Sequence, residues 1–197
     1  YSIILSAAHV LYKEGTSEQF KECVFRPQNM RLTSIGFYGL SDHRFMPSVE
    51  DKLLLSNNDL VFVALKRKLP HEGMTLGLAS SDYKSLQLVG YNEDKNDISV
   101  SSACQTFSSV AFFSDKLLLH DCDAGSGASG GPIIDENSKE IIAVHGGTFY
   151  VDGYAHSQVF KTYPTDHPES LINQGRRIDK EVIVDLAGFI LSLSTYS

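Results

Sequence analysis

Short apolar segments, most only a few residues long, run through this sequence and constrain its fold more than any other feature. Ile3–Leu5, Leu32–Tyr38, Leu60–Leu65, Leu86–Val89, Ile98–Ser101, Val110–Phe113, Leu117–Leu119, Ile133–Ile134, Ile141–Val144 and Gln158–Phe160 are rich in β-branched and aromatic residues. Polar or Gly-containing turns separate them, and many short strands spaced this way fold as a sandwich or a barrel. One segment breaks the rhythm. Val182, Ile183, Leu186, Phe189, Ile190 and Leu193 recur at helical spacing behind Asp179, which predicts a C-terminal amphipathic helix capped by that aspartate. The polar stretch Leu65–Gly77 suits a crossing between two halves, giving an expected N-terminal unit 1–70 and C-terminal unit 71–197.

Charge and hydropathy narrow the function classes. A formal net charge of -7 with no basic stripe argues against a nucleic-acid partner, which needs clustered Lys and Arg. No apolar run approaches the ~20 residues of a membrane-spanning helix. Tyr1–Ser6 lacks the basic start and small-residue cleavage site of a signal peptide and reads as the middle of a strand. The three cysteines, Cys23, Cys104 and Cys122, are too few for a disulfide scaffold, and their odd number leaves at least one outside any internal pair.

Three local patterns carry chemistry. In Gly125–Pro132, Ser129 lies in a glycine-rich turn, where small neighbours let a substrate carbonyl approach a hydroxyl and converging backbone N–H groups. The same composition also describes a flexible loop. His9 follows Ala7 and Ala8 at the end of an apolar strand, and small neighbours keep a cleft open beside a base. An isolated histidine there would otherwise simply end a core strand. Asp59 opens the apolar run Leu60–Leu65, and a carboxylate so placed needs a partner such as a histidine N–H, unless it is an ordinary turn residue. Each pattern is modest alone. The chain order His, Asp, Ser is that of the chymotrypsin template and the reverse of the α/β-hydrolase order, which excludes an esterase of that fold.

On these residues the sequence resembles the chymotrypsin/trypsin-like serine protease superfamily, and most of all its bacterial V8-like (glutamyl endopeptidase-like) branch. SAAHV (Ser6–Val10), NDLVFVAL (Asn58–Leu65) and GASGGP (Gly127–Pro132) are similar to its histidine, aspartate and nucleophile motifs. LVGYNEDK (Leu88–Lys95), HDCDAGSGASGGP (His120–Pro132) and IIAVHGG (Ile141–Gly147) resemble further segments of the branch. The resemblance implies two six-stranded-type antiparallel β-barrels with a C-terminal α-helix, and a serine endopeptidase acting on protein or peptide substrates without a cofactor or metal. It implies Ser129 as nucleophile, His9 as base, Asp59 as the residue orienting His9, and the backbone N–H groups of Gly127 and Ser129 as the oxyanion hole. A catalytically silent binding module of the same fold is the competing reading, and retention of all three triad residues favours the enzyme. Secretion or a periplasmic location is expected with it.

Departures from the family pattern are informative. Ala128 stands where zymogen-activated members carry Asp, so an ion pair with a freed N-terminus is impossible. Val10 replaces the cysteine that usually follows the histidine. The chain starts inside the histidine-motif strand, so either an upstream segment or a second chain completes the first barrel, or that barrel is unusual. For specificity, His145 matches the pocket-strand histidine that contacts an acidic P1 side chain, and a histidine donates best to a carboxylate when protonated. Asp123, six residues before Ser129, matches the pocket base of trypsin and would favour Lys or Arg. Ala124 stands where V8-like relatives commonly place Thr, removing one support for the acidic preference. Ala124 and Gly146 complete the expected substrate-binding set.

Cys104 and Cys122 flank the Ser114–Lys116 turn and the apolar runs on either side of it, which predicts a disulfide in a protein matured outside the cytoplasm, with Cys23 free. Three buried thiols are the alternative. His120-Asp121-Cys122-Asp123 contains metal-ligand residue types, but contiguous strand residues face opposite ways, so no metal site is expected. His43, His71, His156 and His167 lie in polar surroundings and are expected to be exposed.

Overall fold

Every residue of Val61–Leu65 is buried, because the strand they form is covered on both faces. Strand side chains alternate between faces. Leu60, Phe62 and Ala64 therefore meet Val182, Phe189 and Leu193 of the C-terminal helix, while Val61, Val63 and Leu65 meet Ala8, Leu11, Tyr12 and Ile35. Burial on both faces is what produces a continuous apolar run in place of an alternating one. Phe62 and Phe189 stack with ring centroids 6.0 Å apart.

The computed structural model describes residues 2–13, 16–26, 34–41, 57–70, 72–80, 82–106, 114–150 and 171–194. Two of the expected strands, Val110–Phe113 and Gln158–Phe160, and the histidines His43, His71, His156 and His167 lie outside the described residues. Among those described, β1 (Ile3–Ser6), β2 (Val24–Phe25), β3 (Ile35–Leu40) and β4 (Val61–Leu65) form an antiparallel sheet in the order β1-β4-β3-β2. A second sheet contains β5 (Leu86–Asn92), β6 (Asp97–Val100), β7 (Leu117–His120), β8 (Pro132–Asp135), β9 (Ile141–Tyr150) and β10 (Leu171–Arg177), in the order β6-β5-β8-β9-β10-β7. Bridges Leu86↔Cys104 and Thr106↔His120 tie one short segment to both β5 and β7, drawing the ends of this sheet together. Its core packs Leu86, Leu88, Leu118, Ile133 and Ala143 around a Cys104–Cys122 disulfide, and Cys23 is unbonded.

The helix α1 (Lys180–Ser194) begins where its sequence predicts: Asp179 Oδ1 accepts the Val182 N–H at 2.9 Å, an N-cap bond. Its buried stripe is narrower than expected. Val182, Phe189 and Leu193 are buried, but Ile183 and Ile190 are 37% and 40% exposed. Each of these isoleucines follows a core position by one residue, about 100° around the helix, and so falls outside the contact face. β10 was not legible as a strand because Leu-Ile-Asn-Gln-Gly-Arg-Arg lacks apolar alternation. Two of its polar side chains bond inside the protein: Asn173 Nδ2 donates to the Cys122 carbonyl at 2.7 Å, and the buried Arg176 reaches Asp179 Oδ2 at 2.8 Å.

Candidate active site

The antiparallel register Ser6↔Val61 carries the chain just beyond β1 to the start of β4. His9 sits there in a 3-10 turn, Ala8–Val10, and Asp59 lies two residues before β4. The His9 backbone N–H donates to Asp59 Oδ1 at 2.9 Å, and Nδ1–H donates to Oδ2 at 2.7 Å. Two bonds to one carboxylate fix both the position and the tautomer of the ring, leaving the Nε2 lone pair as a base. Asp59 is 8% exposed, whereas the His9 ring is 39% exposed and can meet a substrate.

The turn carrying Ser129 is held by Ala128 N–H to the Gly125 carbonyl (3.1 Å) and Gly131 N–H to the Ala128 carbonyl (3.0 Å). Reciprocal bonds of 2.8 Å, Gly130 N–H to the His145 carbonyl and His145 N–H to the Gly131 carbonyl, lock it onto β9. Gly127 and Gly130 have φ of 94° and 84°, a left-handed conformation that glycine adopts without strain. A side chain at Gly130 would also collide with Ser6. The consequence of this bonding pattern lies in what it leaves open. Among the described residues, the N–H groups of Gly127 and Ser129 and the Ser129 hydroxyl make no hydrogen bond. Ser126 Oγ donates to Glu93 Oε2 at 2.7 Å, anchoring the turn to the β5–β6 hairpin.

Contacts at two glycines bring the pieces together. Gly130 abuts Ser6 and Ala7, next to the His9 turn, and Gly146 on β9 abuts Asp59 Oδ2. Of the expected pocket residues, Asp123 is exposed, Ala124 half-buried and Gly146 buried.

His145 is 2% exposed, and its Nδ1 lies 3.3 Å from Nε2 of the fully buried His120. The Cys122 N–H donates to His120 Nδ1 at 3.3 Å, so Nδ1 is unprotonated and the proton of a neutral His120 sits on Nε2. That proton is donated to His145 Nδ1, which places the proton of a neutral His145 on its own Nε2. Burial, and then His9, push His145 down to about 4, against the opposing pull of Asp59 and the Gln174 backbone. Burial, and then His145, hold His120 well below the usual histidine value. Any hydrogen bond from His145 at neutral pH is therefore donated by an uncharged imidazole, not by the cation that sequence reasoning favoured.

His120 entered the sequence reading as a metal-type residue and as the start of the segment His120–Pro132, without a role of its own. A histidine ending the apolar run Leu117–Leu119 was the available signal that it belonged to a buried strand. Its neighbours diverge: Cys122 is in the disulfide and Asp121 Oδ1 accepts the Gln105 N–H at 2.7 Å. No group of three or more metal-ligating side chains occurs among the described residues.

No family model and no curated protein sequence matches the chain. Solved structures do. A thermostable serine protease, AL20, from an extremophilic microorganism superposes with a TM-score of 0.66 at 13% identity, over 93% of this chain and 82% of that one. The protease Anisep from Arthrobacter nicotinovorans gives 0.65 at 14% identity, over 93% and 81%. A Glu endopeptidase in complex with MPD gives 0.59 at 16% identity, over 94% and 79%. The protein has the two-barrel fold of the chymotrypsin-like serine proteases, with a C-terminal helix. At these identities the likeness is one of fold, and the chemistry is argued from the site.

Proposed function

We propose that the protein is a serine endopeptidase that cleaves peptide bonds through an acyl-enzyme, with His9, Asp59 and Ser129 as its triad. The observation that carries this reading is the two-bond clamp of Asp59 on His9, with the turn whose Gly130 abuts Ser6 and Ala7 nearby; among the described residues the Gly127 and Ser129 N–H groups of that turn make no hydrogen bond. Ser129 Oγ attacks the scissile carbonyl and passes its proton to His9 Nε2. Asp59 stabilises the resulting imidazolium, and the Gly127 and Ser129 N–H groups hold the developing oxyanion. His9 returns the proton to the leaving amine, and water then releases the acyl group by the reverse sequence. A Ser129 hydroxyl without a hydrogen bond among the described residues fits a resting site, whose catalytic hydrogen bonds tighten when substrate binds.

The proposed P1 preference is Glu or Asp, with the uncharged His145 as the pocket histidine and Ala124 and Gly146 flanking it. Asp123 offers the competing preference for Lys or Arg. A buried disulfide accords with maturation in an oxidising compartment, secreted or periplasmic. An active-site-directed fluorophosphonate should label Ser129, and a denatured peptide library should be cut with a defined P1 residue. An unlabelled, inactive protein would favour the silent binding module.

A further inference from the structure

Between β9 and β10 the pairing runs Gln174↔Gly147 and then Gly175↔His145, which leaves Gly146 as a bulged residue with no opposite partner. Bulges beside functional sites re-aim side chains. Gly146 has none to aim, and the space is taken by others. A Cβ there would lie 2.6 Å from Gln174 Nε2 and 3.1 Å from Asp59 Oδ2, so the amide nitrogen and the carboxylate oxygen approach one point from two sides. Gln174 is 4% exposed and its Oε1 is buried without a hydrogen-bond partner. An orphaned buried acceptor costs about 1–3 kcal/mol, so packing alone is a poor reason for an amide at this position. Asp59, for its part, takes two hydrogen bonds among the described residues, both from His9, although a carboxylate has about four acceptor sites.

We propose that Gln174 is a positioning residue for the His9–Asp59 pair, its side-chain N–H group serving, across Gly146, the side of the carboxylate that His9 leaves open. The inference rests on the protease reading of that pair. A neutral donor there steadies the Asp59 anion and draws part of its charge away from His9, which keeps the His9 base available near neutral pH. Among the described residues His145 on β9 also faces the pair, with His120 on β7 behind it.

The test is the titration of the His9 ring, followed by NMR so that it does not depend on turnover, together with the acid limb of kcat/KM. Gln174→Glu keeps the shape and adds a charge beside Asp59, and should raise the His9 pKa by about one unit or more. Gln174→Met should shift it the same way by less and lower kcat about tenfold with little change in KM, short of the ~10²-fold cost of a 1 Å misplacement. Gly146→Ala displaces the amide without altering it and should reproduce Gln174→Met even if that variant folds poorly. An unchanged His9 titration in all three overturns the proposal. Fluorophosphonate labelling of the unsubstituted protein separates the two ideas. Labelling with an unmoved titration refutes the role of Gln174 alone, and a moved titration without labelling refutes the protease reading alone.

Discussion

Replacing Cys104 and Cys122 together by Ala opens the one disulfide found among the described residues, and its contribution follows from the chain it closes. The two cysteines are 18 residues apart. In the chain-entropy treatment a loop of that size removes about 3 kcal/mol of denatured-state freedom at 25 °C. Unfolding entropies near 2.1 cal/mol/K per residue give a chain of this length roughly 0.4 kcal/mol/K, so the loss should lower Tm by ~7 °C. Both cysteines are buried, which adds a cavity to the double variant. Comparing the native protein with and without reductant separates that cavity from the cross-link. The bond also supports the site: the Cys122 N–H fixes the His120 tautomer, and its carbonyl accepts from Asn173 on the approach to Ser129. Differential scanning calorimetry of oxidised and reduced protein, with fluorophosphonate labelling rates on the same samples, measures both consequences. Equal Tm values in the two states would refute the reasoning, as would peptide mapping that finds Cys23 bonded to either partner.

Ser129→Ala should lower kcat by about 10⁶ with little loss of substrate binding, and adding His9→Ala should cost little more because triad members act as a unit; near-normal turnover overturns the assignment. Activity should rise with pH as the His9 base loses its proton, and a profile flat from pH 5 to 8 counts against a histidine base. Stability should follow pH in the same direction for a different reason. His145 titrates near 4 when folded, so below ~6.5 the unfolded chain binds the proton that the folded one refuses, and on the order of 3 kcal/mol is lost as pH falls to about 4. Urea unfolding across that range should show the slope, and His145→Gln should lessen it, leaving the part that the buried His120 supplies. His145→Ala should erase discrimination between Glu and Gln substrates; predominant cleavage after Lys or Arg, lost in Asp123→Ala, would overturn the acidic preference.

Features governed by neighbours along the chain were legible in the sequence. The apolar runs at Leu60–Leu65 and Leu117–Leu119 read as strands because burial on both faces leaves no polar alternation. Asp179 read as a cap because it bonds an N–H three residues on, and the glycines around Ser129 marked a turn that needs left-handed backbone. The helix stripe was overdrawn, since periodicity names a face without saying how wide the contacting surface will be. β10 and β2 escaped notice, the first too polar and the second too short for any pattern.

The motifs around His9, Asp59 and Ser129 named candidate residues, and the sequence by itself determined that much: the local conformations and the residue types available for chemistry. Tertiary structure decided which of them meet. His9 and Asp59, 50 residues apart, are joined because β1 pairs with β4 in one register and no other. A shift of one residue would reverse every side chain. The neutral state of His145, the tautomer handed to it by His120 and the approach of Gln174 and Asp59 to Gly146 all arise from burial by segments remote in sequence. Burial and register are set by the packing of the whole chain, and that is why no local pattern announced them.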